Sequence, residues 1–486
     1  MRDKKYLIAI GIVLLIIYGI SYLIFDSTSI NNAYKYVGIL AYIQLFYILW
    51  SWKRLTNSLF DAYTLFMFAL IVFSLGQAFL EPFNLVSERF SLLTKFNVGK
   101  ETYFKCEYIV LLFLLFTHFG AMCSFKEMPE SRRINYTSAR KALKSIGWTG
   151  VICFFPFYVY HTITQLLIVA AYGYMGLYST DNVETGGGAI FRVLGDYYVP
   201  SLIILLIYYE CTKRHRFLIY GVSFATVCLP PLFIGVRTNA VIMTAMLALI
   251  YVLFNKIRLK QMLLLTVIVG VLLGGLVFIR NMRSTEGTIE SIKDIENTSA
   301  ESDNFSLFSV ISEMGFSFYP IAKTIDIKAE NGEEFLYGKS FLWSFATVIP
   351  NINFWKIHPA KKNADMSKWL SEKLRFTYGI GYALIAESYA NFGFFGFAFM
   401  FLYGFLILKL FRYATIRNVN YNLIKTVVAL VFLWFIIRTV RNSFVDTIRY
   451  LAFYILPLYM YLTWKVSQFQ KKNKLYKIYD NDTENT

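Results

Sequence analysis

The feature that most constrains this 486-residue sequence is a succession of apolar runs, each long enough to cross a lipid bilayer. About 20 apolar residues in a helix span the hydrocarbon core of a membrane. Runs of roughly this length lie at 6–25, 36–52, 59–80, 104–122, 146–172, 193–210, 217–235, 239–254, 261–280, 392–411, 423–440 and 447–464. Backbone inside a bilayer must satisfy its hydrogen bonds internally. The runs therefore predict an all-α, polytopic membrane protein with about 12 transmembrane helices.

Composition agrees with this class and excludes several others. Hydrophobic residues make up 57% of the sequence and charged residues 16%, which is typical of a chain with many membrane spans. The net charge of +17 would favour nucleic acid in a soluble protein. Here, basic cytoplasmic loops and anionic lipids account for much of it, so we expect membrane lipids and no nucleic acid as partners. The five cysteines form no C-x-x-C pair and the four histidines are scattered, so we expect no metal and no cofactor.

The distribution of basic residues predicts the orientation. If the N-terminus is cytoplasmic, the loops on that side hold 26 of the 48 Lys and Arg residues. Many of the others lie in one long loop, to which the positive-inside rule does not apply. Both termini are therefore predicted to be cytoplasmic. The resulting division is 1–280 for transmembrane helices 1–9, 281–378 for a large extracytoplasmic loop, 379–464 for transmembrane helices 10–12, and 465–486 for a cytoplasmic tail.

The long external loop contains two segments with helical patterns. Residues 305–327 are apolar but interrupted by Pro320, so we expect a helix at the membrane interface or buried against the bundle. Residues 361–376 place Met366, Trp369 and Leu370 on one helical face, with Lys and Glu opposite. This pattern predicts an amphipathic helix that rests on a membrane or on a partner helix.

A single carboxylate, Glu387, lies in the otherwise neutral stretch YGIGYALIAESYANFGFFG, where the long loop ends. Glu387 and Asn391 are four residues apart, so they share one face of a helix. An acidic residue at the edge of a membrane helix is costly without a partner or access to water. We expect Glu387 to face a polar cavity on the external side and to act as a general base or to orient a hydroxyl group of the substrate. The alternative is a structural ion pair with an arginine.

Several arginines are predicted on the same external side. Taken singly, each could be an interface anchor whose long stem reaches the head groups. Together they suggest a site for an anionic substrate such as a lipid-linked phosphate or pyrophosphate, because guanidinium groups bind phosphate bidentately and stay charged. These residues are Arg237, Arg280, Arg283, Arg438, Arg441 and Arg449.

Two further residues are candidates for substrate contact. Tyr389 is an aromatic side chain on the external side, although tyrosines are also common at membrane interfaces. His358 is the only histidine on that side of the predicted topology. It precedes a proline, and a loop residue is the alternative to a catalytic role.

Together these features resemble the Wzy-type O-antigen and capsular polysaccharide repeat-unit polymerases. The resemblance rests on the many spans, the late external loop, the G-x-R element at Gly235 and Arg237, and the A-E-x-Y-x-N-x-G-x-x-G run at Ala386–Gly396. The histidine-centred external motif of some relatives is absent unless His358 serves.

The resemblance implies a glycosyltransferase of the bacterial cell membrane. Its substrates would be oligosaccharide repeat units on polyprenyl pyrophosphate, and its product a surface polysaccharide, either O-antigen or capsule. A flippase and a chain-length regulator of the same pathway would be partners. Glu387, Arg237 and Arg441 would be catalytic, whereas Arg280, Arg283, Arg438, Arg449, Asn391, Tyr389 and His358 would bind substrate.

Two other functions share most of these features. A ligase would transfer the lipid-linked glycan to a different acceptor, and the sequence barely separates enzymes with the same donor. A flippase or transporter of lipid-linked oligosaccharide would instead favour charges near the middle of spans and an internal repeat. Neither of these patterns is visible in the sequence.

Overall fold

A computed structural model describes residues 2–27, 32–126, 136–172, 177, 187–234, 237–255, 307–330, 332–349, 355–376 and 380–483. Within these ranges the protein is helical and contains no strand. The helices are α1 (Arg2–Ser27), α2 (Ala33–Thr56), α3 (Ala62–Leu80), α4 (Lys100–Ser124), α5 (Tyr136–Tyr172), α6 (Gly187–Gly195), α7 (Tyr198–Thr212), α8 (Arg216–Ser223), α9 (Leu229–Ile234), α10 (Arg237–Phe254), α11 (Leu307–Met314), α12 (Phe318–Ile325), α13 (Lys339–Ser344), α14 (Pro359–Asn363), α15 (Met366–Lys373), α16 (Leu384–Phe392), α17 (Gly396–Phe411), α18 (Leu423–Thr439), α19 (Phe444–Tyr450) and α20 (Leu456–Thr483).

Seven helical segments within the described ranges are long and apolar enough to cross a membrane. They confirm the prediction of an all-α, multi-pass protein. These segments are Lys4–Phe25, Ala33–Thr56, Ala62–Phe83, Lys100–Ser124, Tyr136–Tyr172, Ile190–Thr212 and Leu384–Phe411. The ninth apolar run, 261–280, lies outside the described residues.

The segment Leu384–Phe411 begins earlier than the predicted run at 392. It is formed by α16 and α17, which are joined by a short turn at Gly393–Phe395. Gly393 has a φ of +57°, and a Cβ atom at this position would lie 2.9 Å from the ring of Phe335, so this position requires glycine. Glu387 therefore lies inside a segment of spanning length, whereas the sequence predicted it at the entrance.

At the C-terminal end, the last helix extends past the end of the last predicted span. The sequence predicted a span that ends at 464, followed by a tail. In the structure α20 continues as one helix to Thr483. The last residues of the chain are rich in lysine and other good helix formers, which explains why the helix does not stop where the apolar residues end.

The chain forms two compact units. One comprises residues 1–127, 301–412 and 435–450, and we call it the glutamate unit. The other comprises residues 128–300, 413–434 and 451–486, and we call it the basic unit. Helix α18 contributes its first part to the basic unit and its last turn to the glutamate unit.

Helices α4 and α17 form a close pair in the glutamate unit. Glycines at two positions allow the two backbones to touch, as small residues do in membrane helix pairs. A Cβ atom at Gly404 would collide with the carbonyl oxygen of Thr117, and one at Gly120 with that of Phe401. This pair holds α17 against α4, and α16 is joined to α17 by one short turn.

Both helical patterns in the long loop are confirmed as helices, and both pack within the glutamate unit. Gln77 of α3 donates a 3.1 Å hydrogen bond to the carbonyl of Ser312 in α11. Met366 and Leu370 of α15 are buried, whereas Lys368 on the opposite face is exposed. The apolar face of α15 therefore packs against protein.

In the basic unit a tyrosine compensates for a proline. Pro230 lies in the helical run that continues from α8 through a π-helical turn, Phe224–Cys228, into α9. Because proline has no N–H, it cannot donate to the carbonyl of Thr226 four residues earlier. The hydroxyl of Tyr158 in α5 donates to that carbonyl at 3.0 Å, so the polar group is satisfied inside an apolar environment.

The α4–α17 contact makes a testable prediction. Gly404→Ala forces the two backbones apart, which costs about 1–3 kcal/mol of stability through overpacking. The melting temperature of the detergent-purified protein is therefore expected to fall. Gly19→Ala is the matched control, because a Cβ at this helical glycine meets nothing within 4 Å. Equal melting temperatures for the two variants would show that the contact is not required.

Candidate functional site

Glu387 lies in α16 and is fully buried, with 0% of its surface exposed. Its Oε1 accepts a 2.6 Å hydrogen bond from the hydroxyl of Ser340 in α13. Its Oε2 accepts a 2.7 Å bond from the backbone N–H of Phe444, the first residue of α19. One carboxylate thus joins α16, a helix of the long loop, and the connection between α18 and α19. The expected open polar cavity is replaced here by a closed hydrogen-bonded site.

Asn391 extends this arrangement, as its position four residues after Glu387 predicted. Its Nδ2 donates to the Ser340 hydroxyl oxygen at 2.7 Å and to the carbonyl of Glu387 at 2.8 Å. Its Oδ1 is buried and has no hydrogen-bond partner among the described residues. Asn391 therefore fixes the Ser340 hydroxyl so that its proton points to Glu387, while one acceptor of its own stays unused.

The residues just before α16 hold the α18–α19 connection at a second point. The N–H of Tyr382 donates to the carbonyl of Arg441 at 3.2 Å, and the nearby Gly381 adopts a φ of +73°. The Tyr382 hydroxyl lies 2.9 Å from the hydroxyl of Thr324 in α12. Burial raises the pKa of the Tyr382 phenol, so it is a neutral hydrogen-bonding group.

Ser443 provides a third point of attachment. Its Oγ accepts hydrogen bonds from the N–H groups of Met366 at 3.0 Å and Ser367 at 3.3 Å. It therefore satisfies two donors in the first turn of α15 that have no partner within that helix. The short connection between α18 and α19 is thus bound by α16, by the residues before it and by the long loop.

No cation contacts the Glu387 carboxylate in the described part of the chain. Two other carboxylates, Asp446 and Asp365, act on it electrostatically. The ion-pair interpretation of Glu387 is therefore wrong for the described residues. The sequence could not have shown this, because Ser340 and Phe444 are 47 and 57 positions away and neither is charged.

Three of the candidate arginines lie around this connection. Arg441 is exposed, and its guanidinium carbon lies 5.2 Å from the centre of the Phe73 ring. Arg438 is half-buried, 6.0 Å from the centre of the Phe435 ring. Arg449 forms a 2.8 Å ion pair with Asp446. Arg441 is therefore the candidate whose backbone is tied to the Glu387 segment and whose side chain reaches solvent.

The remaining candidates are distributed more widely. Arg237 begins α10 in the basic unit, and its side chain is outside the described part of the structure. Arg280 and Arg283 lie outside the described residues altogether. Tyr389 is buried, and its ring packs edge-on against Phe335 with centroids 5.9 Å apart.

His358 occupies a structural position in the loop before α14. Its Nδ1 accepts from the N–H of Ala360 at 3.2 Å, and its Nε2 lies 2.9 Å from the carbonyl of Ile349. Since Nδ1 accepts, Nε2 must carry the proton. Both ring nitrogens bond to the backbone, which favours the loop interpretation of this residue over catalysis.

Glu107 is a buried carboxylate that was not among the sequence candidates. It lies in α4, is fully buried, and neither of its carboxylate oxygens has a hydrogen-bond partner among the described residues. Glu81, in the turn after α3, acts on it electrostatically. The Tyr103 hydroxyl is also buried without a partner among the residues described. The signal was present in the sequence, because Glu107 is the only acidic residue in the run 104–122.

This observation yields a stability prediction. Replacing Glu107 by methionine, which has a similar volume, removes a buried polar group that has no hydrogen-bond partner in the described part of the chain. The variant is therefore expected to be more stable by about 1–3 kcal/mol, measured as a higher melting temperature in detergent. Glu101→Met, at an exposed position of the same helix, should change stability little. A lower melting temperature for Glu107→Met would mean that the carboxyl group has a stabilising contact.

Comparison with known proteins identifies a family for this chain. Neither a curated protein nor a solved structure matches the chain. The family model for the O-antigen polysaccharide polymerase Wzy matches residues 6–474 of the 486, which includes both units and the Glu387 site. The chain therefore belongs to the O-antigen polysaccharide polymerase Wzy family.

Proposed function

We propose that this protein polymerises oligosaccharide repeat units carried on polyprenyl pyrophosphate, on the extracytoplasmic face of the bacterial cell membrane. Membership of the Wzy family supports repeat-unit polymerisation in general. One observation carries the proposal for the site of this reaction. The α18–α19 connection is attached to the rest of the glutamate unit through Glu387, Tyr382 and Ser443. This attachment fixes the backbone that carries Arg441.

The reaction requires one bond to form and one to break. A hydroxyl oxygen at the end of one repeat unit attacks the anomeric carbon at the reducing end of the growing chain. The bond from that carbon to the pyrophosphate oxygen breaks, and the electron pair leaves with polyprenyl pyrophosphate. The proton of the attacking hydroxyl passes to a base or to water. Pyrophosphate is a good leaving group, so its departure needs charge stabilisation more than protonation.

Arg441 is proposed to stabilise the leaving pyrophosphate. Its guanidinium is exposed and lies over the Phe73 ring, and its backbone carbonyl is bound by Tyr382. A planar guanidinium can donate two parallel hydrogen bonds to phosphate oxygens. Preorganised donors of this kind are effective because they do not have to reorient during the reaction. Arg438, about one turn earlier in the chain, can supply a second positive charge to the same anion.

Glu387 is proposed to be a positioning residue. A general base must be within hydrogen-bond reach of the hydroxyl that it deprotonates. The Glu387 carboxylate is fully buried, and its two oxygens are bound by Ser340 and Phe444. These contacts support a role in holding the Arg441 segment. A direct role as base would need the site to open.

The polymerase proposal makes a prediction for living cells. A strain that lacks the protein should display single, unpolymerised repeat units on its surface, because export is intact and only polymerisation is lost. Loss of a flippase would instead keep the units inside the cell. Loss of a ligase would leave the finished polymer on its lipid carrier. Surface glycan is measured by gel electrophoresis and staining.

Complementation of that strain tests Arg441. Arg441→Ala should reduce long-chain polymer by at least about a hundredfold, the typical loss for one preorganised donor to a transition-state charge. Arg89→Ala is the matched control, since Arg89 also lies near a phenyl ring, 5.8 Å from the centre of Phe90. Normal polymer with Arg441→Ala, at an equal amount of membrane protein, would remove Arg441 from the mechanism.

A double-mutant cycle separates the two roles of Glu387. If Glu387 positions the connection through Ser340, then Glu387→Gln and Ser340→Ala each reduce polymerisation rate, and the double variant is no worse than Glu387→Gln alone. The rates are measured on purified protein with lipid-linked repeat units, together with melting temperatures. If Glu387 is the base, Glu387→Gln abolishes activity without loss of stability, and Ser340→Ala has only a small effect.

A further inference from the structure

A cavity in the basic unit is unrelated to the Glu387 site. It has a volume of about 500 Å³ and lies between the start of α5, the end of α7 and the turn that follows α7. Its lining includes the cations Arg140, Lys144 and Arg214, together with His215 and Tyr209. No carboxylate belongs to its lining in the described part of the chain. The proposed topology puts this cavity on the cytoplasmic side.

Glu210, an acidic residue near this turn, is bound by cations outside the cavity lining. Glu210 is fully buried. Its Oε2 accepts hydrogen bonds from Lys213 at 2.7 Å, Arg216 at 3.4 Å and the side-chain amide of Asn255 at 2.9 Å. The basic run 213–216 is therefore divided: its outer two residues bind Glu210, and its inner two, Arg214 and His215, line the cavity.

This division leaves the cavity with an excess of positive charge. Arg140 lies near the ring of Tyr136, 5.8 Å from its centre, and this contact does not cancel its charge. Three cations around one concave space repel each other, and an anion bound between them offsets this repulsion. Tyrosine and threonine hydroxyls in the lining, Tyr209 and Thr212, add neutral donors. The combination matches the oxygen atoms of a phosphate group, which accept several hydrogen bonds and carry negative charge.

We propose that this cavity binds a phosphate group, through Lys144, Arg214 and Arg140, at a site separate from that of the polymerisation reaction. The phosphate can belong to the head group of an anionic phospholipid or to a soluble phosphate compound. Both sources present the same phosphate oxygens to the cavity, and the two arms of the experiment below distinguish them.

The test uses the full-length protein and its melting temperature. In the first arm, inorganic phosphate or pyrophosphate is added to the protein in zwitterionic detergent, with chloride at equal ionic strength as reference. In the second arm, the protein is compared in nanodiscs of phosphatidylcholine with increasing phosphatidylglycerol. A ligand that binds the folded state raises the melting temperature. We expect this rise in at least one arm, and that arm identifies the source of the phosphate.

Variants connect the rise to the cavity. Lys144→Gln and Arg214→Gln should each increase the ligand concentration needed for half of the effect by about tenfold, as expected for one lost charge-assisted hydrogen bond. Lys141→Gln is the matched control, since Lys141 is exposed on the same helix and does not line the cavity. The proposal is overturned by no rise in either arm, or by an equal effect of Lys141→Gln. It is also overturned if Lys144→Gln and Arg214→Gln both leave the half-effect concentration unchanged, because that result assigns the ligand to another site such as Arg441.

Discussion

The hydrogen bonds to the Glu387 carboxylate are the interaction on which the candidate site depends. A buried polar group costs free energy unless it is hydrogen-bonded, and Glu387 obtains both of its partners from distant parts of the chain. The same two bonds fix α13 of the long loop and the first residue of α19 relative to α16. Arg441 lies three residues before Phe444, and its own carbonyl is bound by the N–H of Tyr382.

This site rests on a rigid pair of helices. The glycine contacts between α4 and α17 remove the space that side chains would otherwise fill, so α17 has little freedom to shift along α4. Helix α16 precedes α17 with only one short turn between them. The position of Glu387 therefore depends on the backbone packing of α17 against α4. If the proposed reaction takes place at this candidate site, its donors are already aligned and need not reorient during the reaction.

The sequence predicted the all-α membrane class and both helices of the long loop, because apolar runs and helical periodicity are local signals. It also identified the face shared by Glu387 and Asn391. It did not identify Ser340, Ser443 or the Phe444 amide, since these partners are uncharged and far away in the chain. The start of the segment at Leu384 was missed because Glu387 and Ser388 interrupt the apolar run. Hydropathy alone cannot tell a satisfied carboxylate from an exposed one.

Three buried carboxylates show how differently one chemical group can be satisfied within this chain. Glu210 is bound by two cations and an amide, and this arrangement joins the ends of α7, α8 and α10. Glu387 is bound by one hydroxyl and one backbone N–H, so it holds the α18–α19 connection without a charged partner among the described residues. Glu107 has no hydrogen-bond partner among the residues described. A structural role explains the first, and the role that we propose for the second is positioning. Burial of Glu107 is therefore compensated by no hydrogen bond in the described part of the chain, and its desolvation lowers the stability of the glutamate unit.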